Sequence, residues 1–365
     1  MKPKHLLFLL LGWVWILPEA SLSADERHLN EGEVLVDIRY PTRTVRMILV
    51  GLEEGELTLR TVAADRGERA YLSVRELARQ GTVIQFAENA DYQRALRLAR
   101  RGDHAEARSL YRRSVTPMLR YLRMGEVAGN LITIVDAWIE TAIALEEWNE
   151  AIDLIDRIDL RIAPRQTFGR VISLAQTLFE KELWSTLRNL EGKILRIENP
   201  NAMQRTELLR LGHFWRENQL YAEASRLYER VTGFEGDASR EAHLWRLYAS
   251  LFMEGADPAS VEESFEARPA HRQFSLELLI QAKMATLRED SDGAMRLAAE
   301  AFAYSGPEET HHPEIMTILG HLYLGREEEA IAAQIFRQGQ LLYPDTVWEK
   351  RFNQSFQTVL PESPL

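Results

Sequence analysis

Ile315–Pro344 reads IMTILGHLYLGREEEAIAAQIFRQGQLLYP. Within it, Leu319 is followed by Gly320, and Tyr323, Ala332, Phe336, Gly339 and Pro344 come after at fixed offsets. Glycine and alanine let two antiparallel helices approach closely, and the aromatic rings fill the gap between them. Proline cannot continue a helix, so Pro344 stops the second one. The stretch therefore predicts a helical hairpin.

The register recurs. Leu211, Gly212, Trp215, Ala224, Tyr228 and Val231 occupy the same offsets. From Ala87 onward the apolar period is 3.6 residues rather than two. Aligned on the residue that packs the second helix against the first, the candidates are Ala107, Ala151, Leu187, Ala224, Ser260, Ala294 and Ala332, spaced 44, 36, 37, 36, 34 and 38 residues apart. The long first interval predicts extended helices around Met124–Asn130. Turn signals fall at Gly102–Asp103, Gly255–Pro258 and Asp290–Gly293, and Pro164, Pro200, Pro307 and Pro344 follow second helices. Trp148 and Trp184 each stand three residues before a packing position, where an aromatic ring closes a hairpin.

This pattern resembles the tetratricopeptide repeat (TPR), whose unit is about 34 residues. The resemblance covers about 260 of the 365 residues. It implies a mainly α fold: a TPR-like α-solenoid of about seven hairpins over 87–345, closed by a capping helix and tail at 346–365 that carries Phe352, Phe356 and Val359 on one side. A single hairpin cannot bury its apolar face, so neighbours stack, and first helices line an inner groove that receives a peptide or a partner protein. The family's groove offsets nominate Tyr92, Asp136, Glu140, His213, Arg216, Trp245, Phe252, Lys283 and His321. Apolar and charged groups are mixed among them, as suits a protein or peptide partner.

The N-terminal third differs. Over 32–86 apolar residues alternate with polar ones: Val34, Val36 and Ile38, then Val45, Met47 and Leu49, then Leu57 and Leu59. Gly51–Gly55 carries hairpin chemistry, Ala63–Glu68 forms a polar turn, Tyr71 and Leu72 mark a further strand, and Val83–Phe86 another. Ser73 can cap one helical turn that ends near Gly81. Five short strands with one helical turn are similar to a small SH3-like β module.

Ahead of this module, Lys2, Lys4 and His5 precede the apolar run Leu6–Leu17, and small residues follow at Ser21, Ser23 and Ala24. That is the pattern of a secretory signal over 1–24, with 25–31 as a linker. The twelve-residue run is short for a membrane span of about 20 residues. The predicted location is periplasmic or secreted, with an uncleaved membrane anchor as the alternative.

Composition bounds the function. The chain has no cysteine, which excludes disulfides, a thiolate nucleophile and cysteine metal sites. A net charge of −11 argues against nucleic acid as a partner. No phosphate-binding loop, nucleophile elbow or zinc-protease motif is present, so neither an enzyme nor a cofactor is implied. His311 and His312 near Glu308, Glu309 and Glu314 read as an inter-repeat loop rather than a metal site. Asp290, Asp292 and Gly293 read as a turn, because Arg288 and Ala299 stand where a calcium loop needs ligands.

Charge is uneven. Arg94, Arg97, Arg100 and Arg101 lie at near-helical spacing, with Arg108, Arg112 and Arg113 on the next helix, whereas Glu126–Asp156 carries eight acidic residues and no basic one. These arginines form either a basic patch for an acidic protein, an envelope glycan or an anionic lipid surface, or the side of a hairpin that packs against its acidic neighbour.

Overall fold

The computed structural model describes residues 29–62, 69–266 and 274–359. The predicted signal segment, most of the linker, the turn Ala63–Glu68 and the last six residues lie outside these ranges. Two compact units divide the chain between Pro164 and Arg165.

The first unit opens with five strands, β1 (Val34–Arg39), β2 (Thr44–Glu53), β3 (Glu56–Thr61), β4 (Arg69–Ser73) and β5 (Val83–Phe86), with α1 (Val74–Arg79) between the last two. All pairings are antiparallel, in the order β4-β3-β2-β1-β5. Glu54 (φ 47°) and Gly55 (φ 83°) make the β2–β3 connection, a turn of two residues and so tighter than the sequence implied. Two hairpins follow: α2 (Ala90–Arg101) with α3 (His104–Val115), and α4 (Leu131–Ala144) with α5 (Trp148–Arg157).

Between those hairpins the expected helix extension is absent. Thr116–Ala128 instead winds into tight 3-10 turns, interrupted at Gly125 (φ 60°). The sheet packs on this segment and lies with the first helices in one compact unit. β1 is buried on both faces through Val34, Leu35, Val36 and Ile38. The Asn130 amide clasps the β5 edge, accepting from Phe86 N at 2.8 Å and donating to Phe86 O at 3.0 Å. Gly129 (φ 47°) permits this approach, since a β-carbon there would stand 2.5 Å from the Ile84 carbonyl oxygen. Arg120 Nη2 donates to Gly32 O and to Val50 O, the latter released by a register shift between Leu49 and Gly51.

Among its described residues the second unit holds five hairpins and a last helix. These are α6 (Arg165–Glu180) and α7 (Trp184–Ile194), α8 (Ala202–Glu217) and α9 (Tyr221–Val231), α10 (Asp237–Ser250) and α11 (Pro258–Glu266), α12 (Phe274–Leu287) and α13 (Ser291–Tyr304), α14 (His312–Leu324) and α15 (Glu329–Leu342), then α16 (Val347–Val359). The chain is thus mainly α, with an N-terminal antiparallel sheet, as the two hydrophobic periods predict. Ala107, Ala151, Ala224, Ala294 and Ala332 are fully buried, and Leu187 is buried in spite of its size. Ser260 is exposed, and its neighbour Val261 takes the inward position, so the fifth packing position is one residue further on. Of the described side chains of α11 only Val261 is buried, which leaves α10 to pack directly on α12.

The hairpin turns share one device. Gly102, Glu146, Glu182, Gln219, Glu289 and Glu327 all adopt left-handed backbone angles, with φ between 57° and 88°. Each lets the chain reverse within two to four residues. α16 covers the last apolar face with Trp348, Phe352 and Val359, and Phe356 packs beside them.

Candidate binding cavity on the inner face

In the second unit the nominated residues lie on or next to the first helices α8, α10, α12 and α14. They fall into two groups.

The first group is buried. Arg216 is fully enclosed, with its guanidinium carbon 3.4 Å from the centre of the Trp245 ring. Its Nη2 donates to Thr310 O at 3.1 Å, its Nη1 lies 3.0 Å from His213 Nδ1, and its Nε stands 2.7 Å from Glu314 Oε1. That last contact is an ion pair without hydrogen-bond alignment. Burial works against the guanidinium's charge, but Glu314 and further groups outweigh it, and Arg216 titrates above its ordinary value. His213 is held below the ordinary histidine value by burial, then by Arg216, with the Glu241 carboxylate 3.3 Å away opposing. His311 is driven lower, to about 4, by burial and Arg216.

This cluster joins α8 directly to the start of α14, three hairpins further on. Trp245 has no exposed surface. The expectation that His213, Arg216 and Trp245 line an open groove is therefore corrected: their side chains hold the array together.

The second group borders a cavity of about 400 Å³ beside this cluster. Phe252 follows α10, Lys283 is on α12 and His321 on α14, and all three line it. Phe252 stacks on Tyr221 with ring centres 4.1 Å apart and planes at 10°. Lys283 Nζ lies 4.2 Å from the Phe252 ring centre, a cation–π contact. Burial lowers the Lys283 ammonium below its ordinary value, and among the described residues no carboxylate pairs with it. Arg351, Gln354 and Ser355 of α16 complete the wall. Arg351 also donates to the Glu217 carbonyl. Sequence treated α16 only as a cap; its contribution to the cavity follows from where the last hairpin places it.

In the first unit the nominations scatter. Tyr92 is buried edge-on against Tyr111, with ring centres 5.7 Å apart, Asp136 is buried, and Glu140 is exposed. Four of the seven arginines are in ion pairs: Arg94 with Glu106, Arg113 with Asp91, Arg108 with Glu147 and Glu150, and Arg112 with Glu150. Glu147 and Glu150 stand at the start of α5, on the acidic neighbouring hairpin. Arg97, Arg100 and Arg101 remain exposed.

Among the described residues no group of three or more histidine, aspartate or glutamate side chains converges to hold a metal. Asp290 caps α13 by accepting from Gly293 N at 2.9 Å, and His311 Nε2 lies 2.7 Å from Ser275 Oγ. Nor is any helix among them long and apolar enough to cross a membrane.

No family model and no curated protein matches the chain. One similar solved structure is the crystal structure of a tetratricopeptide repeat protein from Parabacteroides merdae, 14% identical, with 74% of this chain and 100% of that one covered and a TM-score of 0.38.

Proposed function

We propose that this protein is a non-catalytic scaffold, exported to the cell envelope or beyond it, that binds a peptide or partner protein in the cavity around Lys283. One observation carries this: Phe252, Lys283 and His321, chosen from three hairpins by a repeat offset, line a single cavity that holds a partly buried cation with which no carboxylate pairs among the described residues. An acidic group on the partner would supply the missing charge, while Tyr221 and Phe252 offer apolar contact. Export is supported by the basic start, apolar run and small residues of 1–24. N-terminal sequencing of the mature protein tests it.

The binding test places a photo-crosslinking amino acid at Thr286, on the cavity wall, in the full chain in producing cells. A discrete protein adduct is expected, and Lys283→Glu should abolish it without lowering the melting temperature. No adduct, or one indifferent to Lys283→Glu, overturns the proposal.

A second use is favoured by Arg97, Arg100 and Arg101, exposed on α2. Together with the sheet, whose strand order and helical turn before β5 support an SH3-like module, they suit an envelope glycan or anionic lipid surface. Such binding should weaken steeply between low and high salt, unlike that of the cavity.

A further inference from the structure

A second cleft, of about 750 Å³, lies in the same unit. Its floor is aromatic. The Phe179 ring meets Trp184 at 5.3 Å and Phe214 at 5.5 Å, both edge-on, and Trp184 is 45% exposed. Pro307 and Tyr343 add apolar surface. A half-exposed tryptophan inside a cleft is costly to leave in water and marks a contact surface.

The rim has the opposite sign to the Lys283 cavity. Glu180, Glu182, Glu308 and Asp345 line the cleft, and none has a cationic partner among the described residues. Two further carboxylates there already have partners: Glu217 pairs with Arg216, and Glu309 accepts from Ser275 Oγ and lies 2.9 Å from His311. Among the described residues Lys350 is the only cation on the lining.

This unit already pairs guanidinium groups with indole rings. Arg216 lies over Trp245, and Arg351 lies over Trp348 with its guanidinium carbon 4.6 Å from the ring centre. No cation lies over Trp184 among the described residues. The ring's negative face, the surplus of carboxylates and the low polarity of the floor all favour the same guest.

We propose that this cleft docks a partner polypeptide through an arginine- or lysine-bearing segment, one cationic side chain lying on Trp184 with Glu182 and Glu308 beside it. The cleft is roomier than a single side chain needs, which favours a segment over a small free cation. It is a separate site from the Lys283 cavity and takes the opposite charge.

The test is calorimetric titration of the full chain with a capped tetrapeptide in which arginine alternates with alanine, beside the same peptide with uncharged citrulline for arginine. Saturable one-to-one binding is expected, weakening by about tenfold with citrulline, with Trp184→Ala, and with the pair Glu182→Gln and Glu308→Gln. Trp184→Ala should lower the melting temperature but stay folded at the titration temperature, and Glu53→Gln, on an exposed acid of the sheet, should leave affinity unchanged. Equal affinity for the citrulline peptide, equal loss from Glu53→Gln, or binding indifferent to Trp184→Ala overturns the proposal. So does spermidine binding more tightly than the peptide, which would assign the cleft to small cations.

Discussion

A β-carbon built on Gly320 would stand 2.4 Å from Cε1 of Phe336 and 2.6 Å from its Cζ. Gly212 and Tyr228 repeat the arrangement three hairpins earlier, at 2.6 Å from Cε1. The aromatic ring of each second helix occupies the space a side chain on the first would need. Gly320→Val should therefore cost about 1–3 kcal/mol through overpacking. Combining it with Phe336→Leu, which vacates part of that space, should recover some of the loss. Urea unfolding of both single variants and the double variant measures the coupling, and strictly additive losses would contradict the contact.

These pairs explain why so much of the array was legible. A glycine that must face a ring, and an alanine that must be buried, constrain residue identity directly. Where packing tolerates variety the sequence says less. Leu187 occupies a small-residue position and is still buried, and Ser260 yields its place to Val261. Five of the hairpin turns use Glu or Gln in the left-handed conformation, where only glycine would have signalled the turn. The cluster around Arg216 was out of reach because Glu314 lies 98 positions away, and no local period reports such a meeting. The same gap separates a nominated groove residue from a ligand-facing one: an offset identifies the helix face, but burial depends on how the hairpins close on one another.

Trp245 shows the consequence. Its groove offset nominates it as a ligand contact in an open groove. Since the ring is fully buried against Arg216, truncation should instead cost about 3–5 kcal/mol of stability. Chemical denaturation tests this, and a loss below about 1 kcal/mol would contradict the packing described.

Arg216→Ala strands the buried carboxylate of Glu314 and should cost about 3–5 kcal/mol. Replacing both by methionine removes the stranded charge and should cost much less. If the double variant is as unstable as Arg216→Ala, the ion pair is not what joins α8 to α14.

Glu33 and Arg60 form a two-bond pair, with Arg60 Nε to Oε1 at 3.0 Å and Nη2 to Oε2 at 2.5 Å. The hydrogen bonds from Arg60 hold the Glu33 carboxyl at about 2, against an ordinary 4.5. A depressed folded value means the stabilisation is complete above about pH 4.5 and is lost as pH falls towards 2. Glu33→Gln should thus cost about 2–3 kcal/mol at neutral pH and little near pH 2. Unfolding of both proteins across that range provides the measurement, and a pH-independent difference would remove the pair from the account.

Lys283 should behave in the opposite sense. Burial over the Phe252 ring lowers its ammonium below the ordinary 10.5, with no carboxylate among the described residues to offset it. The unfolded chain then holds this proton more tightly than the folded one. Stability contributed at this site must rise as pH climbs through the lowered value towards 10.5, where the unfolded group also deprotonates. Lys283→Met removes the desolvated charge while keeping the apolar stem. The variant should be no less stable than the parent at neutral pH, and its advantage should shrink as pH is raised towards 10.5. Melting curves of the two proteins over that interval decide the matter. A lysine variant that loses stability at neutral pH would mean that the ammonium already has a partner inside the protein, and the cavity would no longer need an acidic guest.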